Sequence, residues 1–217
     1  NSLLYKFSLN KLFLKFNCDK GSKIKLKNEK YLLTHNYSKF YEKYFSDYRK
    51  KKINFLEIGS HEGNGLASFY FFFPYAKFYG ANINPFQMKY QAKRMEEIYI
   101  DVSSRNILNN FSKYFKEDFD LIVDDASHNI KDILQTLSIL FKNLKKGGMY
   151  IIEDINQFKV YPNLNPENYE FSPMDVLEKI KKEKNFESPY ISNSDIEYLK
   201  ENIENIYFEK GDMVLQN

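Results

Sequence analysis

The chain of 217 residues has a single cysteine, Cys18, and no tryptophan. One cysteine excludes an internal disulfide and suits a reducing compartment. Nowhere do eighteen apolar residues run together, so no membrane-spanning helix is expected. A charge excess of one sign is lacking too: 32 Lys and Arg stand against 29 Asp and Glu, a net +3, with both signs mixed along the chain. A dedicated nucleic-acid binder would carry a basic face or stripe, so no nucleic-acid partner is expected. The abundance of Lys, Asn, Phe and Tyr has the look of an AT-rich coding sequence and carries no functional message. Ser2 to Phe16 spaces its apolar residues like an amphipathic helix, and Lys6, Lys11 and Lys15 interrupt the apolar stretch that a signal peptide needs. The protein is therefore expected to be cytoplasmic. That first helix can pack on the body, pair with another subunit of a homo-oligomer or touch a membrane surface; packing is the expectation.

What is present is a globular composition, 43% hydrophobic and 18% aromatic, at a length that suits one domain over residues 1–217. Two segments stand out in it. Asp120-Leu-Ile-Val-Asp-Asp-Ala-Ser-His128 and Met149-Tyr-Ile-Ile-Glu-Asp-Ile155 are each a short apolar run ending in two adjacent carboxylates. Such runs read as buried strands of a parallel sheet, whose C-terminal ends face the crevice where ligands bind. Neighbouring strands would gather Asp124, Asp125, Glu153 and Asp154 around one crevice, with His128 a short turn away. That much negative charge calls for a hard divalent cation such as Mg2+, which takes oxygen ligands.

The rest of the chain alternates. A helix over Ser38–Lys50 completes an N-terminal helical segment, residues 1–50. Strand Ile53–Ile58 runs into Gly59-Ser-His-Glu-Gly63-Asn-Gly65, and a helix over Leu66–Phe73 stops at Pro74. Then come strand Ala76–Ala81, a helix over Pro85–Glu96 with Pro at its first position, and a short strand, Glu97–Ile100. Ser103 is the expected N-cap of a helix carrying Ile107 to Phe115. Strand Leu121–Val123 leads to a helix from Ile130 to Leu144, closed by Lys145, Lys146 and Gly147, and to strand Met149–Ile152. A long irregular loop, 156–173, precedes charged helices near Met174–Lys184 and Ser194–Asn202, and the chain closes in a hairpin, Ile203–Phe208 with Met213–Gln216. This order predicts an α/β fold: a doubly wound, mostly parallel, seven-stranded Rossmann-like sheet with an antiparallel last strand.

Strand, glycine loop and helix let backbone N–H groups approach a ligand closely. The spacing Glu57-x-Gly59-x-x-x-Gly63-x-Gly65 is not the G-x-G-x-x-G of a dinucleotide site. It resembles the first motif of class I S-adenosylmethionine (SAM) methyltransferases, E/D-x-G-x-x-x-G. The resemblance implies that the turn at Gly59 and Gly63 passes under the methionine part of SAM, with Glu57 near its amino end. Asn82 stands where that family usually has an acid gripping the ribose hydroxyls, which gives up a charge-assisted bond. Asp101, ending the third strand, falls where the family often contacts the adenine amine; a helix cap or a solvated acid is an equal reading.

The resemblance sharpens downstream. Val123-Asp-Asp-Ala-Ser-His128, followed by Gly147-Gly-Met-Tyr-Ile-Ile-Glu-Asp154, is similar to the D-D-G-S-H … G-G-x-Y-V-I-E-D pattern of metal-dependent sugar O-methyltransferases, which methylate deoxysugars of macrolide antibiotics. Upstream, Asp19-Lys-Gly21 and His35-Asn-Tyr37-Ser-Lys-Phe-Tyr41-Glu-Lys-Tyr-Phe45 resemble that family's T-D-K-G … H-x-Y-T-x-x-Y-E-x-x-F segment. The similarity spans residues 18 to 155, with Ala126, Asn82 and Cys18 as departures. It implies Asp125, Glu153 and Asp154 as metal ligands, His128 as general base, and Asp124 as a supporting residue or donor contact. The chemistry agrees, because a sugar hydroxyl is a poor nucleophile until a bound cation acidifies it and an imidazole accepts its proton. Loop 156–173, with Tyr161, Tyr169 and Phe171, is read as an acceptor loop.

The expected function is a SAM-dependent, Mg2+-assisted O-methyltransferase. Its acceptor would be a hydroxyl of a saccharide or nucleotide-linked sugar, or a phosphoramidate or phosphate-like oxygen of a surface-glycan precursor. The rivals are an NAD(P)-dependent oxidoreductase on a similar sheet and a methyltransferase-like scaffold without catalysis.

Overall fold

A computed structural model of the chain describes residues 3–116, 118–209 and 212–216. They fall into two compact units, Asn1–Ile98 and Tyr99–Asn217. In the first, α1 (Leu9–Lys15) precedes an antiparallel hairpin of β1 (Lys23–Lys25) and β2 (Tyr31–Leu33). Then follow α2 (Ser38–Phe45), β3 (Asn54–Ile58), α3 (Asn64–Phe72), β4 (Lys77–Asn82) and β5 (Met95–Tyr99). The strands lie in the order β5-β4-β3, and β3 pairs in parallel with β4, Leu56 opposite Tyr79.

The high aromatic content is spent here. Phe13, Tyr41, Phe45, Phe55, Phe69 and Phe73 are fully or almost fully buried in one network of edge and tilted ring contacts. Each such ring withdrawn from water stabilises by about 1.5–3 kcal/mol. α1 packs on α3 and α2, so the first helix covers the body, as its amphipathic spacing predicts.

The second unit contains α4 (Arg105–Tyr114), β6 (Phe119–Asp124), α5 (Ile130–Leu140), β7 (Leu144–Ile152), α6 (Pro173–Lys182), α7 (Asn193–Asn202), β8 (Asn205–Glu209) and β9 (Asp212–Gln216). Its strand order is β6-β7-β9-β8; β6 and β7 are parallel, and β9 is antiparallel to both β7 and β8. The mostly parallel set is five strands, β3 to β7, where seven were expected; within the units β3 pairs in parallel with β4 and β6 with β7, and the closing hairpin is antiparallel. No helix among the described residues is long and apolar enough to cross a membrane.

Several expected boundaries move. The helix expected over Pro85–Glu96 is only a 3-10 turn, Pro85–Gln87, followed by irregular chain and a longer β5. Tertiary bonds hold this stretch open: Lys89 N–H donates to Glu62 O, and the Arg94 guanidinium caps α3 by donating to the carbonyls of Tyr70, Phe73 and Ala76. The helix expected to end at Gly147 stops at Leu140, with a 3-10 turn at Phe141–Asn143. Lys145, Lys146 and Gly147 belong to β7, where the pairing with β6 shifts register, and Lys145 reaches Asp120 across the ladder at 2.8 Å. The first helix is broken at Ser8 into a 3-10 turn and α1, and the cap of α4 is Ser104 rather than Ser103. The hairpin β1–β2 had no counterpart among the expected elements.

Candidate active site

The expected site residues fall into two sets, one in each unit. In the first, β3 ends in Glu57 and Ile58 and the chain turns through Gly59 (φ +84°) to Gly63 (φ +80°), the N-cap of α3. Gly63 combines a left-handed backbone with close packing: a Cβ there would lie 2.6 Å from Met88 Cγ. Gly59 N–H donates to Ala81 O at 2.8 Å, which ties the turn to the end of β4. Asn82, at that end, is buried and turned inward. Its amide donates to Asn84 O at 3.2 Å and, at 3.5 Å, to His61 O and Gln87 Oε1, while Ile83 N–H donates to its Oδ1. Glu57 is buried and lies 3.8 Å from the ammonium of Lys20. Gly65 lets the Glu57 carboxylate lie close to the start of α3, since a Cβ there would be 2.5 Å from Glu57 Oε1.

In the second unit the two members of each acid pair differ in burial. Asp124 and Glu153, the first of each pair, are buried; Asp125 and Asp154, the second, are partly exposed. The Tyr150 hydroxyl donates to Asp124 Oδ2 at 3.0 Å. Burial pushes the Asp124 carboxyl up to about 7, against the opposing effects of Tyr150 and the Ala126 N–H; burial also pushes the Tyr150 phenol up. Glu153 N–H donates to Asp124 O, extending the β6–β7 ladder by one rung.

Asp125, His128 and Asp154 converge, each offering an atom within 4.8 Å of the others. His128 Nε2 lies 3.6 Å from Asp125 Oδ1. Local bonds fix the turn: Ser127 Oγ donates to Asp132 Oδ2, and Asn129 caps α5 by accepting from Lys131 N–H. His128 (φ +55°) and Asp154 (φ +53°) are both left-handed, a conformation His and Asp tolerate better than most residues. Gln157 steadies Asp154, its amide donating to Oδ2 at 2.7 Å. The two carboxylates offer the oxygen donors that a hard divalent ion takes, with the imidazole beside them.

Of the expected site residues, the structure therefore brings together Asp125, Asp154 and His128. Glu153 lies outside that group, buried behind its neighbour. Asp101 closes a turn by accepting from the N–H and hydroxyl of Ser103, while the cap of α4 is Ser104. Lys20, Tyr150 and Gln157 were assigned no role. Lys20 and Tyr150 carried a signal, their places in the Asp19-Lys-Gly21 and Gly147-Gly-Met-Tyr150 motifs, and Gln157 carried none.

A family model described as "Methyltransferase domain" matches residues 49–211, and the chain belongs to that family. Curated relatives include the mycinamicin VI 2''-O-methyltransferase of Micromonospora griseorubida, 29% identical over 58% of this chain and 33% of that protein. Another is the demethylmacrocin O-methyltransferase of Streptomyces fradiae, 27% identical over 56% of this chain and 32% of that one. The chain spans about a third of the length of these relatives. Among solved structures, the MycE methyltransferase of the mycinamycin pathway, in complex with Mg, S-adenosylhomocysteine (SAH) and mycinamycin VI, has the same fold: TM-score 0.75 at 20% identity, covering 97% of this chain and 54% of that chain.

Proposed function

We propose that the chain is the catalytic domain of a SAM-dependent, divalent-metal-assisted O-methyltransferase whose acceptor is a hydroxyl of a small saccharide or sugar nucleotide. The observation that carries this reading is the convergence of Asp125, His128 and Asp154 in a chain of the methyltransferase domain family. The names of the relatives, O-methyltransferases that include an 8-demethyl-8-alpha-L-rhamnosyl tetracenomycin-C 2'-O-methyltransferase of Streptomyces olivaceus, and the Mg and SAH in the MycE complex support it. Asp125 and Asp154 would hold the ion, with Glu153 buried behind them and Glu57, Gly59 and Gly63 serving the methyl donor. When bound, the ion acidifies and orients the acceptor hydroxyl, and the sulfonium donor supplies the methyl group. His128 takes the hydroxyl proton as the oxygen–carbon bond forms and the sulfur–carbon bond breaks, leaving a neutral thioether. Asp125, beside Nε2, orients the imidazole and offsets the charge that it gains.

Thermal denaturation tests both halves before any acceptor is known. SAH is expected to raise the melting temperature, and Mg2+ to raise it further in a way that a chelator reverses. Asp125→Ala should abolish the Mg2+ response while retaining the SAH response. No shift with SAH, or a Mg2+ response surviving in Asp125→Ala, would overturn the reading.

A further inference from the structure

The N-terminal segment carries a buried ammonium that the chemistry above does not use. Lys20 is 3% exposed, and its partner Glu57 2%. Withdrawing both charges from water is costly, and their attraction offsets that cost only where the geometry is held. The backbone holds it here. Tyr37 N–H donates to Lys20 O and Asn36 N–H to Gly21 O, both at 2.8 Å, and His35 N–H donates to Asp19 O at 3.2 Å. The motifs at 19–21 and 35–37 are thereby knitted together, and what they fix is the place of Lys20. On the other side Gly65, in the first turn of α3, leaves the room: a Cβ there would lie 3.1 Å from Lys20 Cε as well as against Glu57.

We propose that Lys20 is a positioning residue for the amino-acid end of the methyl donor, holding the Glu57 carboxylate at the glycine turn so that a zwitterionic group is read there. The inference rests on the SAM-dependent reading above. An α-amino acid group carries one ammonium and one carboxylate. Glu57 supplies the counter-charge for the first. Lys20 and the leading N–H groups of α3, a nine-residue helix, favour the second. Ser60, inside the turn, is a second sign that polar ligand atoms complete this region: its hydroxyl is buried and has no hydrogen-bond partner among the described residues.

The test is isothermal titration calorimetry of the whole chain with SAH and with 5′-methylthioadenosine, which keeps the nucleoside and thioether but lacks the amino-acid group. Lys20→Met should weaken SAH binding by about tenfold or more while methylthioadenosine binding changes by less than about twofold, and Lys20→Arg should recover most of the loss. Should Lys20→Met fail to fold, Glu57→Gln, which keeps the shape and removes the charge, should show the same selective loss. Equal losses for both ligands, or unchanged SAH binding in folded variants, overturn the proposal. A wild-type chain that binds neither ligand overturns the methyl-donor reading itself, and this inference with it.

Discussion

Around the glycine turn most polar groups have partners within the chain, the buried Ser60 hydroxyl excepted among the described residues: Lys20 faces Glu57, and Asn82 uses both ends of its amide on neighbouring backbone and side chain. Around residues 124–128 and 153–157 the arrangement differs. Two carboxylates and an imidazole crowd together on backbone that is left-handed at His128 and Asp154. Strain of this kind, of order 1–3 kcal/mol per residue, persists where surrounding structure enforces it, and it concentrates at working sites. The first region is organised before any ligand arrives. The second concentrates like charge that a cation would neutralise, and a ligand that binds only the folded state stabilises it.

The difference is broken most sharply at His128. If the second region alone performs proton transfer, His128→Ala should lower turnover by about 10²–10⁴-fold while SAH affinity stays at the wild-type value. Calorimetry with SAH and a methyl-transfer assay on sugar-nucleotide acceptors measure the two quantities separately. A parallel fall in both would mean that the regions are not divided in this way.

Much of this was legible in the sequence. The buried runs of β3, β4, β6 and β7 and the 3.6-residue period of α5 reflect burial, which local pattern records directly. Segment 85–94 was not legible, because its helical pattern is overruled by partners distant in sequence: Met88 packed on Gly63 and Arg94 on the carbonyls closing α3. Lys145 and Lys146 mimicked the end of a helix, whereas Lys145 pairs across strands with Asp120. The hairpin β1–β2 is mostly exposed, so no burial period marks it. At the site, the acids were legible by type, but adjacency misled. Glu153 and Asp154 look equivalent as a pair of letters, yet past the end of β7 the first is buried and the second, on left-handed backbone, is partly exposed.

Asn82 offers a smaller and more discriminating change. Asn82→Asp keeps the shape but removes the donor that serves His61 O and Asn84 O, and sets a buried carboxylate against two carbonyls. The expected cost is about 1–3 kcal/mol of folding stability, seen as a lower melting temperature. An acid would, in exchange, offer ribose hydroxyls a charge-assisted acceptor. Stability equal to wild type would show that the amide is not committed inward, and that the first region is less settled than its hydrogen bonds indicate.

The smallest effect belongs to a site remote in sequence from both regions, and it calibrates them. Ser172 caps α6 by accepting from Asp175 N–H, and Asp175 returns the bond to Ser172 N–H and its hydroxyl. Ser172→Ala should cost about 1 kcal/mol in urea denaturation. The Ser172 hydroxyl and N–H hold the Asp175 carboxyl below its ordinary value of 3.8. A carboxyl lowered on folding stabilises at pH values above its unfolded value, and that contribution disappears as pH falls through the folded one. Asp175→Asn should therefore lie slightly below wild type in stability at neutral pH and converge with it as pH falls below the ordinary carboxylate range. The gap is small because the carboxylate faces solvent. Neither variant should alter the response to SAH or Mg2+; a change in either response would mean that general loosening of the chain, and not the loss of a particular partner, explains the effects expected at His128 and Asn82.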